Sequence, residues 1–181
     1  MSRNFRAPLA AAILALAAAL SGAGTAQAQV GIALGGGPSF PLGTLGESVE
    51  TGYNAQLSAT LSVPLIPIAV QLDGMFNQFP AEGEGGDYRI LSGSVNGVLS
   101  MPSIGITPYV IGGVGFYNSR YSDDPGAGPD SESSTDAGVN IGAGVRVGLA
   151  GLAVFGEARL HNIFSDGDSQ RFAPVTLGVR F

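Results

Sequence analysis

The sequence predicts an all-β protein, an eight-stranded antiparallel up-and-down transmembrane β-barrel, preceded by a cleavable signal peptide. Three observations lead there. Alternation of apolar and polar residues with period two returns eight times after an apolar N-terminal stretch. The connections between the alternating segments are long and short in turn, and the acidic residues gather in the long ones.

The N-terminus comes first. Arg3 and Arg6 precede a run of Leu, Ala and Ile from Leu9 to Leu20, and an A-x-A site follows at Ala26-Gln27-Ala28. These are the three parts of a secretory signal peptide, so residues 1–28 are expected to be removed and the mature chain to start near Gln29. The apolar run is shorter than the ~20 residues a membrane-spanning helix requires. No cysteine follows it, which excludes a lipid anchor on that residue. Residues 29–181 then suit a single outer-membrane β-barrel domain.

Composition narrows the class. The chain has 29 Gly, 11 Pro, no Cys and no Trp, with 45% apolar and only 12% charged residues. Soluble domains average about 25% charged residues, and exposure to lipid accounts for the deficit. Without disulfides an exported chain must be held by sheet closure or by a sizeable core. Every basic residue is Arg, and the formal charge of −6 is the wrong sign for nucleic acid, so no nucleic-acid partner is expected.

The alternating segments are Val30 to Gly37, Thr51 to Val63, Ile68 to Gln78, Tyr88 to Leu99, Thr107 to Asn118, Asp136 to Leu149, Leu152 to Ile163 and Phe172 to Phe181. Each is near the ~9–11 residues of a tilted membrane strand. Between them "PSFPLGTLGESVE" is long, "PLIP" short, "FPAEGEGGD" long, "SMPSIGI" short, "SRYSDDPGAGPDSESST" long, Ala150-Gly151 short and "FSDGDSQR" long. Barrels of the outer membrane have short periplasmic turns and longer external loops. Of the 14 acidic residues, twelve lie in or beside the long connections, Asp136 at the very start of its segment, and Asp73 and Glu157 fall inside strands.

The second segment shows the faces. Asn54, Gln56, Ser58, Thr60 and Ser62 alternate with Tyr53, Ala55, Leu57, Ala59, Leu61 and Val63. In a bilayer the apolar set meets lipid and the polar set lines the interior. Gly138, Gly142, Gly144 and Gly148 supply small inner positions of the sixth segment. In the fifth, "PYVIGGVGFY", glycines fall on both parities and the faces stay unassigned.

The inner faces carry Asp73 and Glu157 against Arg146, Arg159 and Arg180, with His161 beside them. Buried charges are costly unless paired, so an interior polar network is expected. The turn at Ala150 places Arg146 near Phe155 and Glu157, and a last loop centred near Asp168 brings Arg180 opposite Glu157. Strand three faces strand seven across eight strands, so Asp73 should reach Arg159 through the lumen.

In the last segment Val175, Leu177, Val179 and Phe181 share the outer face, while Thr176, Gly178 and Arg180 face inward. The chain resembles the small outer-membrane barrels of the OmpA/OmpX-like β-barrel domain group. The resemblance is carried by "TPYVIGGVGFY" from Thr107, "EARLHNIF" from Glu157 and "APVTLGVRF" from Ala173. It implies that Val175, Leu177, Val179 and Phe181 form a C-terminal signal read by the barrel assembly machinery, although Thr176 stands where that signal usually has glycine. It also raises two enzymes of this fold. A lipid A deacylase pairs a His with a Ser two residues on, and here that residue is Ile163, with Ser165 at the strand exit. A palmitoyl transferase needs an acyl-chain cavity, and the polar lining expected here offers none. No catalytic activity is therefore expected.

Other motifs carry little. "LGGGPSFPLG" lacks the Lys and the following helix of a phosphate loop. "DDPGAGPDSESSTD" lacks EF-hand spacing, and a solvated loop is the expected reading. No cofactor or metal site is expected. The function that fits is a structural or surface-interaction protein of the bacterial outer membrane, in contact with outer-membrane lipid and open to an extracellular ligand at its acidic loops. The alternatives are a narrow porin-like channel and a soluble periplasmic lipocalin-like ligand-binding barrel. Eight strands leave no aqueous channel, and the lipocalin type normally buries a Trp that this chain lacks.

Overall fold

The computed structural model describes residues 29–62, 67–81, 86–101, 104–122, 133–149, 151–165 and 169–181. The segment 1–28 read as a signal peptide lies outside these residues, as do most of the acidic loop positions, from Glu82 and Glu84 to Asp123, Asp124, Asp130, Glu132, Asp166 and Asp168.

Eight strands follow one another: β1 Gln29–Leu42, β2 Gly52–Ser62, β3 Ile68–Pro80, β4 Asp87–Ser100, β5 Ile106–Ser122, β6 Ser133–Leu149, β7 Leu152–Phe164 and β8 Ser169–Arg180. Each pairs antiparallel with its neighbours in sequence, and β8 pairs with β1 to close the barrel. Closure satisfies the backbone groups that a free sheet edge would expose to hydrocarbon. The seam runs from Ala33 opposite Arg180 to Leu42 opposite Arg171. Beyond it, Phe181 N–H donates to Ile32 O at 2.8 Å and Ile32 N–H donates to Phe181 O at 3.2 Å.

Several strands extend past the sequence-based limits, most of all β1, which continues through "PSFPL" to Leu42, and β5 and β6. The antiparallel ladder continues into solvent because backbone pairing does not need lipid. The loop rule is softened as a result: the last outer connection shrinks to residues 165–168, shorter than the inner connection 101–105. The inner turn at Gly151 has φ +85, a left-handed conformation that glycine adopts without strain.

The outer face is an apolar band. Leu57, Val70, Leu91, Val95, Val110, Val114, Ile141, Val154, Leu160 and Leu177 project from it, all more than a third exposed. Outward Tyr53, Phe116 and Phe164 mark its upper edge, where amphipathic or aromatic groups suit the boundary with headgroups. In β5, Tyr109, Ile111 and Tyr117 turn inward and are buried while Val110, Val114 and Phe116 face outward, which settles the strand the glycines left open.

The interior is not polar throughout. At the end of the long loops Phe79, Ile90, Tyr117, Ile163 and Phe172 form an apolar cluster. A 3-10 turn, Gly43–Glu47, follows β1 and lowers Leu45 onto it, with Val49 beside. The uniformly polar lining expected from the alternation is thus corrected: the parity holds, but inward positions near the outer mouth are aromatic and aliphatic. They shield one another from water where the loop returns over the opening.

Candidate functional site

The middle of the lumen is built around Arg159 on β7. Its Nη1 donates to Asp73 Oδ2 of β3 at 2.8 Å, spanning the barrel between opposite walls. Its Nε donates to Glu157 Oε1, two residues earlier on the same inner face. All three residues are buried. Asp73 is further satisfied by three amide donors: Gln56 Nε2 at 3.1 Å, Gln71 Nε2 at 2.9 Å and Asn96 Nδ2 at 2.6 Å. Asn140 Nδ2 extends the chain to Asn96 Oδ1 at 2.8 Å. The Tyr109 hydroxyl donates to Glu157 Oε2 at 2.9 Å. Desolvated carboxylates are tolerated here because each of their four oxygens accepts from at least one donor.

Glycine makes the room. A Cβ on Gly144 would stand 2.5 Å from the Tyr109 ring, and one on Gly142 would stand 2.7 Å from Arg159 Cγ. These small inner residues of β6 admit the two large side chains that reach Glu157.

Arg180 does not lie opposite Glu157. The β7–β8 register pairs Glu157 with Thr176 and Arg180 with Ala153, four residues toward the inner mouth. The hairpin is centred between Asp166 and Gly167 rather than at Asp168, and a shift of the centre doubles in the partner position. Arg146 faces Phe155, while Glu157 faces Gly144. Neither Arg146 nor Arg180 bridges to Glu157 among the described residues; Arg146 instead lies 5.1 Å over the Tyr109 ring. Glu157 therefore has a single arginine partner, from its own strand.

His161 sits one turn of the ladder above Arg159, fully enclosed. Its Nδ1 is 2.9 Å from the Tyr117 hydroxyl, and its ring stacks on Phe172 at 4.7 Å between centroids. Ser165 turns instead to Asp136, donating at 3.1 Å. Among the described residues the imidazole is bonded to the Tyr117 hydroxyl and to no serine. Among the described residues no three His, Cys, Asp or Glu side chains are grouped to hold a metal ion.

On β8 Leu177, and just beyond it Phe181, are strongly exposed to the outside and Val175 and Val179 partly so, while Thr176 is buried and donates to Asn54 Oδ1 at 2.9 Å. Tyr109 and Tyr117 are the functional neighbours that the sequence did not assign. Their spacing of eight places both on one face, but the glycines between them obscured which face it was.

A family model described as "Outer membrane protein beta-barrel domain" matches residues 9–181. No curated protein matches the chain. Among solved structures, Neisserial surface protein A is similar with a TM-score of 0.69 at 14% identity, covering 84% of this chain and 97% of that one. Ail, the attachment invasion locus protein of Yersinia pestis, aligns with a TM-score of 0.55 at 19% identity, covering 84% and 97%. A major outer membrane protein from Thermus thermophilus gives 0.56 at 15% identity, covering 86% and 98%. Ail has also been solved in complex with the heparin analogue sucrose octasulfate, and that structure aligns with a TM-score of 0.51. At these identities the likeness is one of fold.

Proposed function

The chain belongs to the outer membrane protein beta-barrel domain family, and from that premise we propose that it is a structural or surface-interaction protein of the envelope whose lumen is filled by its own side chains. It lies in the bacterial outer membrane. The observation that carries the proposal is the bridge from Asp73 through Arg159 to Glu157, which ties opposite walls of the lumen. Above it the cluster under Leu45 closes the outer mouth with apolar groups. Such a filling obstructs the passage of water and solutes, which argues against the porin-like reading.

The chemistry also argues against catalysis. The imidazole of His161 is enclosed by Tyr117 and Phe172 and is not presented to a substrate. Function then resides in the outer loops, which hold most of the acidic residues. A polyanion of the kind seen with Ail meets repulsion there, so an extracellular ligand of this chain is cationic. During biogenesis the outward Val175, Leu177, Val179 and Phe181 are the strand offered to the assembly machinery, and outer-membrane lipid is the permanent partner of the apolar band.

Cell fractionation with a gel of boiled and unboiled samples tests the membrane-barrel part: a folded barrel changes migration on boiling. A deletion strain tests the role. Altered adhesion or surface binding with unchanged uptake of small solutes supports the proposal, and a loss of solute uptake with unchanged surface binding argues for a channel.

A further inference from the structure

The inner mouth of the barrel carries two arginines, and the carboxylate that lines the cavity beside them, Glu157, is engaged elsewhere. Arg146 of β6 and Arg180 of β8 line one cavity with Gln56, Ser58, Tyr109 and Glu157. Both oxygens of Glu157 are already engaged, one by Arg159 and one by Tyr109. Asp73 and Glu157 share Arg159 as their cation, so the middle of the lumen holds one net negative charge and the inner end two positive ones. The inner connections 63–67, 101–105 and 150–151 contain no Asp or Glu, and neither does the segment 1–28. Phe181, whose backbone oxygen accepts from Ile32 N–H at the seam, does not line the cavity.

The two guanidinium groups are held in place rather than trailing into solvent. Arg180 lies along the lumen wall over Gly31, where an added Cβ would come within 2.5 Å of its Nε. Arg146 is fixed against the Tyr109 ring, and its Nε is buried without a hydrogen-bond partner among the described residues. The cavity between them measures about 10 Å³, room for roughly one water-sized particle.

We propose that this cavity is a binding site for one small monovalent anion of halide size, held by Arg146 and Arg180 and entered from the periplasmic mouth. A buried donor left unpaired is costly, and an anion both pairs it and relieves the repulsion between two fixed cations. One negative charge there would bring the interior network of Asp73, Glu157, Arg159, Arg146 and Arg180 to neutrality. The small volume selects against larger anions.

The test uses the whole mature protein refolded in detergent, with bromide as the probe. Bromide replaces gluconate at constant ionic strength while the side-chain Nε–H signals of the arginines are followed by NMR. Saturable shifts at Arg146 and Arg180, absent at Arg171, are the expected result. Arg146→Gln and Arg180→Gln, each checked for folding by its heat-shifted migration, should bind bromide at least about tenfold more weakly, the loss of one charge-assisted hydrogen bond. Arg171→Gln should bind as the parent does. Shifts that grow linearly without saturation, or that are equal at Arg171, would mean general screening only and overturn the proposal. Those signals are read on the parent protein, so the test stands even where a variant fails to fold.

Discussion

Arg159 Nη1 stands 2.8 Å from Asp73 Oδ2, joining β7 to β3 across the full width of the lumen. Both side chains are withdrawn from water, and the same guanidinium also holds Glu157. One cation thus compensates two buried carboxylates. Removing it is worse than removing either anion, because two uncompensated charges remain.

Arg159→Met, which keeps most of the volume, should destabilise the barrel by roughly 3–5 kcal/mol, the usual cost of breaking a buried ion pair. Urea unfolding in detergent beside an Arg171→Met control reads it. Equal midpoints would show that water, not the guanidinium, compensates Asp73 and Glu157.

Gly144→Ala should cost about 1–3 kcal/mol by overpacking. Its new methyl group meets the Tyr109 ring and loosens the hydroxyl from Glu157. Gly74→Ala, where no atom lies within 4 Å of the built Cβ, should be nearly neutral. The same unfolding assay compares them, and a reversed order would contradict the packing described for Tyr109.

Deleting Phe181 should reduce insertion in cells while leaving refolding in detergent largely intact. Its ring is exposed on the lipid side and its backbone adds two hydrogen bonds to Ile32 at the seam. If the residue matters chiefly as a recognition signal, the loss appears only where the assembly machinery acts. Equal losses in both assays would assign it a purely structural role.

Residues 1–28 should be absent from the membrane form. Intact-mass measurement of the purified protein reads this directly, with a start near Gln29 expected. A mature chain retaining Leu9 to Leu20 would contradict the signal-peptide reading.

The strands and their faces were legible because lipid imposes a strict parity: Asn54, Gln56, Ser58 and Thr60 are buried while Tyr53 and Leu57 are exposed. What parity cannot supply is register across a loop. The β6–β7 turn is short, so Arg146 fell beside Phe155; the β7–β8 loop is longer, and an error in its centre misplaced Arg180 by four residues. The inward face of Tyr109 is not legible in the sequence because Gly112, Gly113 and Gly115 fall on both faces of β5. Leu45 and Val49 lie in a returning loop with no periodicity, so their burial over Phe79 and Phe172 is a tertiary fact that local sequence does not encode.

The closed lumen is the central claim, and planar-bilayer recording of the refolded protein tests it most directly. With Arg159 bridging the walls and the cluster of Phe79, Tyr117 and Phe172 beneath Leu45, no stepwise conductance is expected across the voltages at which the barrel stays folded. Discrete, reproducible openings from protein shown to be folded would contradict it.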